Sequence, residues 1–146
     1  MDRLVEMDVA LAEFKKWCRD AFGFLADYGF HELPDSHPNH RNPFQARFGN
    51  GSIEVLVLGE GYGTMARVVY ITSDGIEAPS EILEPGWEPF KKQKRKKKSV
   101  QFSQMEQIEM TAQRIRERDA AIYLGDMTQL NKAATRWKTI CEKMGW

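Results

Sequence analysis

Three runs of β-branched and aromatic residues, separated by glycine turns, limit what this chain can fold into. The runs are PFQARF (43–48), SIEVLVL (52–58) and TMARVVYIT (64–72), with GNG and GEGYG between them. Residues of this kind favour pleated strands, and short glycine-containing connections between such runs are typical of β-hairpins. The segment therefore predicts a three-stranded antiparallel meander. Because the middle run is apolar on both faces toward its end, we expect it to be a central strand that is covered on both sides.

Apolar residues at helical spacing predict helices on either side of the meander. Before it, a stripe from Leu4 to Leu25 recurs at steps of three and four. After it, SQME at 103–106 fits a capping box, and two further stripes run from Met105 to Ile122 and from Leu130 to Met144. The LGD junction between these two stripes is short, so we expect an antiparallel helix pair.

Prolines mark the remaining segments as loops, because proline fixes φ and lacks a backbone donor. Three of the six prolines fall in 31–43, and the other three fall in 74–100 together with the run KKQKRKKK. A short fourth strand around Trp87–Phe90 is the one addition that we consider. The order of helix, three to four strands and helix pair shows no internal repeat. It predicts a single α+β domain over residues 1–146, with a flexible basic loop around 91–98.

The length and composition suit a soluble domain with an ordinary core. The chain has 146 residues, of which 42% are hydrophobic and 29% are charged. Its longest uninterrupted apolar run is VLVL at 55–58, far short of the roughly 20 residues that span a bilayer. The acidic, amphipathic N-terminus does not have the pattern of a secretory signal. We therefore expect a cytoplasmic protein in which Cys18 and Cys141 are buried free thiols.

The positive charge is concentrated in one short segment. Seven of the 21 positive residues are Lys91, Lys92, Lys94, Arg95, Lys96, Lys97 and Lys98, and the remainder has 14 positive against 21 negative residues, or about −7. A compact basic run can neutralise phosphates and bind nucleic acid. The same run also suits a solvated loop, since seven neighbouring cations repel one another, and it could serve as a targeting signal. We favour the solvated loop and keep a nucleic-acid contact as the alternative.

The candidate catalytic and metal-binding groups do not form a recognisable site. GEGYG at 59–63 joins two strands, whereas a nucleotide-binding glycine loop leads into a helix, so we interpret it as a hairpin turn. The three histidines, at positions 31, 37 and 40, share one proline-rich loop, but their spacing fits no zinc site that we can defend, and a polar surface loop is favoured. No spacing places two acidic residues at a catalytic separation; the candidates are Glu54, Glu60, Glu77, Glu81 and Glu84. We expect no enzymatic activity, no cofactor and no metal.

Three segments resemble small bacterial proteins of the polymorphic-toxin immunity type and their uncharacterised relatives. They are FGFLADYGF (22–30), NPFQARFGNGSIEVLVL (42–58) and ARVVYIT (66–72), which together cover about half of the chain and leave out the lysine run. The resemblance implies that Phe24, Leu25 and Tyr28 face a core, that Gly29 ends the helix, and that Phe30 re-enters the core. It also implies a noncatalytic binder that blocks a toxin by covering its active or substrate-binding surface.

Our first hypothesis is therefore a noncatalytic protein-binding module, an inhibitor or immunity protein for a partner toxin. An acidic body of about −7 would be steered toward a basic partner such as a nuclease domain. The candidate partner-binding residues are Glu54, Glu60, Tyr62 and Trp87. The alternative is a nucleic-acid-binding accessory protein that uses Lys91–Lys98, and an enzyme of unknown type comes third.

Overall fold

The fold combines helices with one antiparallel sheet, as the α+β prediction requires. A computed structural model of the protein describes residues 3–60, 65–89 and 102–145. The chain begins with helix α1 (Arg3–Ala21) and a first 3₁₀ helix (Gly23–Tyr28), and then forms strands β1 (His31–Leu33), β2 (Gln45–Gly49), β3 (Ile53–Gly59), β4 (Met65–Thr72) and β5 (Glu77–Pro79). It continues with a second 3₁₀ helix (Ser80–Leu83) and helices α2 (Gln104–Arg118), α3 (Ala120–Tyr123) and α4 (Thr128–Met144).

The sheet is a meander in the order β1-β2-β3-β4-β5, and every neighbouring pair is antiparallel. The three predicted strands are β2, β3 and β4, with β3 at the centre as expected. The strand count was wrong, because short strands β1 and β5 add an edge on each side. Each pairs through three residues with one neighbour only, so neither needs the apolar alternation that would mark it in the sequence. The fourth strand that we placed near Trp87 is not formed at 87–89, and Phe90 lies outside the described residues.

The inner face of the sheet forms the main core with the helices. Val55, Val57 and Tyr70 project from the central strands and are fully buried. Phe14 and Cys18 of α1 belong to the same cluster, as do Ile108 and Ile115 of α2 and Leu130 of α4. Phe14 packs edge-on against Phe44, with ring centroids 5.7 Å apart. The buried members of the predicted stripes therefore cover the sheet, whereas Met105 and Met144, at the ends of the two C-terminal stripes, are more than a third exposed.

The outer face of the sheet is also buried, and residues 34–43 cross it. Leu56, Leu58, Val69 and Ile71 form a second apolar cluster there. The Gln45 side chain on β2 accepts a hydrogen bond from His37 N (2.8 Å) and donates to the carbonyls of two other loop residues. At the other edge, Nε2 of His40 lies 2.6 Å from Oε1 of Glu77 on β5. The loop thus spans from β2 to β5 across the outward side chains of β3 and β4.

The helix ends follow the sequence signals in part. The capping box is confirmed: Glu106 N donates to Ser103 Oγ (3.2 Å) and Ser103 N donates to Glu106 Oε1 (3.3 Å). The first helix is shorter than its stripe, because the chain changes to 3₁₀ geometry after Ala21, and Gly29 then ends the turn at φ +82°. The predicted first member of the C-terminal pair is split into α2 and α3 at Asp119. In the described part of the chain, no helix is both long and apolar enough to cross a membrane.

The two cysteines have different environments. Cys18 is buried, whereas Cys141 on α4 is only half-buried, so our expectation of two buried thiols is correct for Cys18 alone; both are free. Burial raises the pKa of the Cys18 thiol to about 12, with the charge of Glu32 acting in the same direction and that of Arg19 opposing it. Cys18 is therefore a protonated, unreactive core residue at neutral pH.

Replacing Leu56 with alanine tests whether the outer face is a closed second core. We expect Leu56→Ala to lower the free energy of unfolding by about 3 kcal/mol, because it removes a buried side chain and leaves a cavity. Leu124→Ala is the matched control, since Leu124 is 77% exposed, and it should change stability by no more than about 0.5 kcal/mol. Urea unfolding of the three proteins measures both effects. Equal stabilities of the two variants would show that the loop leaves the outer cluster open.

Candidate functional site

A charged cleft of about 360 Å³ lies between β4, the second 3₁₀ helix and α2. Ala66, Val68 and Ile115 give it an apolar lining. Val68 and Ile115 are core residues, and the backbone carbonyl of Ala66 is within 3.5 Å of the Thr111 hydroxyl on α2. The cleft is therefore the place where the sheet and α2 separate at the edge of the main core.

Three arginines and three glutamates also line the cleft. Arg67 lies 3.0 Å from Glu81 and 3.6 Å from Glu60, measured between side-chain nitrogen and oxygen atoms. On the other side, Arg118 Nη1 donates to Glu84 Oε1 at 2.6 Å, and Arg114 Nε lies 3.9 Å from the same oxygen. Arg118 is mostly buried, whereas Arg114 is 69% exposed. The cleft thus presents ion-paired guanidinium groups, of which that of Arg118 is largely buried and that of Arg114 is largely exposed at the rim.

A buried polar network lies behind the cleft and holds Arg118 in place. The Asp119 carboxylate is 3% exposed. Arg118 donates to both of its oxygens, from Nε to Oδ1 at 2.6 Å and from Nη2 to Oδ2 at 2.8 Å. The Tyr70 hydroxyl donates to Oδ2 at 2.6 Å and is also 2.6 Å from the Tyr123 hydroxyl. The network joins β4, α2 and α3, and through Glu84 it reaches the segment that leads out of the second 3₁₀ helix.

The network shifts the pKa values of its members. Burial raises the pKa of Tyr70 well above 10, and the charges of Tyr123 and Asp119 add to this rise. The pKa of Tyr123 is also raised, chiefly by burial. Burial by itself would lower the pKa of Arg118, but the hydrogen bonds and charge of Asp119 outweigh it and raise that pKa. At neutral pH the hydroxyls of Tyr70 and Tyr123 are therefore protonated. They lie against the ion pair that Arg118 forms with Asp119.

Our sequence reasoning missed this network, although one signal was present. The apolar stripe of α2 includes Ile108, Ala112 and Ile115, and Asp119 occupies the next position on that stripe, four residues after Ile115. A carboxylate at a core position is costly unless donors satisfy it. An aspartate in the stripe, next to an arginine and with a tyrosine four residues later, indicates a buried polar site.

A second, shallower depression of about 580 Å³ adjoins the cleft. It shares Glu84, Arg114 and Arg118 with the cleft and extends over Pro85 and Met110. Met110 is 48% exposed. The two depressions form one continuous surface, which we call the α2 surface and which combines apolar side chains with oriented charges.

The predicted partner-binding residues do not converge. Glu60 lines the cleft, and Trp87 lies nearby, where its backbone N–H donates to the Glu84 carbonyl at 3.1 Å. The Trp87 ring packs against Trp137 and under the Arg136 guanidinium. Glu54 lies at the opposite end of β3, about 20 Å from Glu60 at about 3.3 Å per residue, and pairs through both oxygens with Arg47. Tyr62 and the basic run Lys91–Lys98 lie outside the described residues.

The histidine loop has a structural role. His40 pairs with Glu77, and His37 Nδ1 accepts a hydrogen bond from Asn39 N at 3.1 Å. The rings of His37 and His40 contact each other, with centroids 5.3 Å apart, whereas His31 lies on β1. Among residues 3–60, 65–89 and 102–145, no group of three or more His, Cys, Asp or Glu side chains could hold a metal ion. The loop covers the outer apolar cluster.

Comparison of the chain with protein families, with curated proteins and with solved structures finds no match.

Replacing Tyr70 with phenylalanine tests the buried network. We expect Tyr70→Phe to lower the free energy of unfolding at pH 7 by about 1–2 kcal/mol, because Asp119 loses one buried donor. Tyr28→Phe is the control: the Tyr28 ring also contacts Tyr123, but its hydroxyl makes no hydrogen bond with other described residues. Urea unfolding measures the difference between the two variants.

The stability of the wild type and that of Tyr70→Phe should also depend differently on pH. The pKa of Tyr70 is higher in the folded protein than its ordinary value near 10, so its contribution to stability is complete below about pH 10 and is lost as the pH rises toward the folded value. Between pH 10 and 11 the wild type should therefore lose stability more steeply than Tyr70→Phe, by up to about 1.4 kcal/mol per pH unit. Identical slopes for both proteins would contradict the assignment.

Proposed function

We propose that the protein is a noncatalytic protein-binding module that inhibits a partner toxin, and that the α2 surface makes the contact. The observation that carries this proposal is the composition of that surface: exposed Met110 and Pro85 lie beside Arg114 and Arg118, and Arg118 is held by both carboxylate oxygens of Asp119. Methionine and arginine are enriched in protein interfaces, and arginine is frequent among the residues that dominate binding energy.

Two arginines of this surface are already held in position, which also favours it as the contact with a partner. Association costs free energy when long side chains must be ordered, and an arginine that is already fixed avoids much of that cost. Arg118 is held by both oxygens of Asp119 and by Glu84, and Arg67 is held by Glu81. A partner would meet guanidinium groups and carboxylates that are already in position.

The charge of the chain supports a basic partner. Outside Lys91–Lys98 the chain carries about −7, and a net charge of this size accelerates association with an oppositely charged protein. The resemblance to immunity-type proteins leads to the same class of partner. Of the residues predicted from sequence, Glu60 and Trp87 lie on or beside the α2 surface, whereas Glu54 belongs to a separate region.

Affinity purification from native cells, followed by titration with the purified partner, tests the proposal. We expect Met110→Ala and Arg114→Ala each to raise the Kd at least about tenfold, as for side chains at the centre of an interface. Leu124→Ala removes a side chain at an exposed position outside both depressions and should leave the Kd unchanged within about twofold. The wild type should also abolish the partner's activity at a 1:1 ratio. Equal affinities for all three variants would place the contact elsewhere.

The density of positive charge in Lys91–Lys98 keeps nucleic-acid binding as the second candidate function. We expect neither the wild type nor a variant with Lys94, Arg95, Lys96, Lys97 and Lys98 replaced by Gly and Ser to bind DNA or RNA at about 150 mM salt, because the acidic remainder repels phosphate. Fluorescence anisotropy with duplex and single-stranded probes measures this. Micromolar affinity that falls steeply with salt concentration and is lost in the variant would contradict toxin inhibition and support nucleic-acid binding as the function.

A further inference from the structure

Strand β1 lies at the edge of the sheet and pairs with β2 alone. In an antiparallel ladder, the main-chain groups of successive residues point alternately toward one neighbouring strand and toward the other. At the two ends of the β2–β3 ladder, Asn50 N donates to Ile53 O at 3.3 Å and Gly59 N donates to Phe44 O at 2.8 Å. The even-numbered residues of β2 therefore bond to β3, and its odd-numbered residues bond to β1.

This alternation leaves the main-chain N–H and C=O of Glu32 on the open edge of the sheet. Its neighbours His31 and Leu33 lie opposite odd-numbered residues of β2 and bond to them. The main chain of Glu32 points the other way, where no other described residue bonds to it. Unpaired main-chain groups at a sheet edge are a template on which another chain can pair.

The ends of this edge fix the register of any added strand. Phe30 N already donates to Leu25 O at 3.2 Å, and Pro34 has no N–H. Of the residues whose main chain faces the open edge, Glu32 is therefore the one that can exchange both hydrogen bonds with a partner. An added strand must place one of its own residues directly opposite Glu32.

An apolar pocket of about 130 Å³ adjoins Glu32. Four buried side chains form its walls: Phe22, Leu25, Phe30 and Phe48. The other lining residues are exposed, so the pocket opens between them: Arg19, Gly23, Ala26 and Glu32. An apolar cavity of about 150 Å³ can hold one benzene molecule. The pocket therefore has room for one apolar side chain.

The pocket and the Glu32 side chain lie on the same face of the sheet. Glu32 is opposite Phe48, which belongs to the main core on the inner face. Directly opposed residues of an antiparallel pair share a face, with their Cβ atoms about 5 Å apart. A residue opposite Glu32 on an added strand would therefore have its side chain at the mouth of the pocket. The residues on either side of it would project to the outer face, next to His31 and Leu33.

We propose that β1 accepts an extended segment of another protein as a further strand, with an aliphatic side chain opposite Glu32 that enters the pocket. In strand addition, main-chain hydrogen bonds supply affinity and side-chain pockets supply specificity. A second copy of this chain does not fit, because symmetric pairing of two β1 strands places Glu32 opposite Glu32 and offers the apolar pocket a carboxylate. The contact is separate from the α2 surface and does not depend on the proposed function.

An NMR titration of the wild-type protein with the blocked peptide Thr-Val-Leu-Val-Thr tests the proposal. We expect saturable shifts of the backbone amides of Ala26, Glu32 and Phe48, and slower hydrogen exchange at the Glu32 amide once its N–H is bonded. With glycine in place of leucine, the peptide should bind at least about tenfold more weakly, because the pocket stays empty. With N-methylated leucine it should bind at least about fivefold more weakly, because the Glu32 carbonyl loses its donor.

Two variants at one position assign the edge. Glu32→Pro removes the N–H that faces the open edge and should abolish peptide binding; the β1–β2 ladder is retained, since Glu32 does not donate to it. Glu32→Ala is the matched control, because it also loses the ion pair with Arg19 but keeps the N–H. It should bind the leucine peptide within about threefold of the wild type, since exposed ion pairs contribute little. Thermal unfolding of both variants confirms that they are folded.

Several results would overturn strand addition at β1. They are the absence of saturable shifts with the leucine peptide, equal affinity for the glycine or N-methylated peptide, and full binding by Glu32→Pro. A dimer in analytical ultracentrifugation that Glu32→Pro abolishes would show that a second copy occupies the edge and would contradict the proposed partner. If the edge fails these tests while partner binding still depends on Met110 and Arg114, the proposed function stands.

Discussion

The rest of the structure depends on the satisfied carboxylate of Asp119. A carboxylate removed from water is strongly destabilising unless charge and hydrogen bonds compensate it, and here Arg118 and Tyr70 together supply three donors. These bonds join a residue of the central sheet to the end of α2. They also interrupt the helix, so that α3 turns away and Tyr123 reaches the Tyr70 hydroxyl. The position of Arg118 in the cleft follows from this one group.

Sequence patterns predicted the parts of the fold that are governed by local periodicity. The meander, the central position of β3 and the capping box at Ser103 all follow from residue types at fixed spacing. Strands β1 and β5 escaped prediction because three-residue edge strands owe their conformation to a neighbour rather than to their own sequence. The break at Asp119 likewise depends on Tyr70, 49 residues earlier in the chain.

The candidate site was less predictable than the fold, because it is assembled from distant segments. Glu60 was identified from sequence, but the arginines around it come from β4 and α2, and no spacing brings these elements together. Glu54 illustrates the opposite case. An acidic residue on a strand suggests an exposed charge. Glu54 instead lies opposite Gly49 on β2, two residues from Arg47, and Arg47 donates hydrogen bonds to both of its carboxylate oxygens.

The strand order has a consequence for how the protein is made. Because each strand of the meander pairs with its immediate neighbour in sequence, the whole sheet between residues 31 and 79 can form from local hairpins as the ribosome releases it. Helices α2 and α4, which contribute to the same core cluster, are synthesised afterwards. During that interval Tyr70 and its apolar neighbours face solvent, and the nascent chain is open to aggregation or to chaperones. The inner face is closed only when both helices have packed on it, with Ile108 and Ile115 of α2 and Leu130 of α4 in the same core cluster as Tyr70.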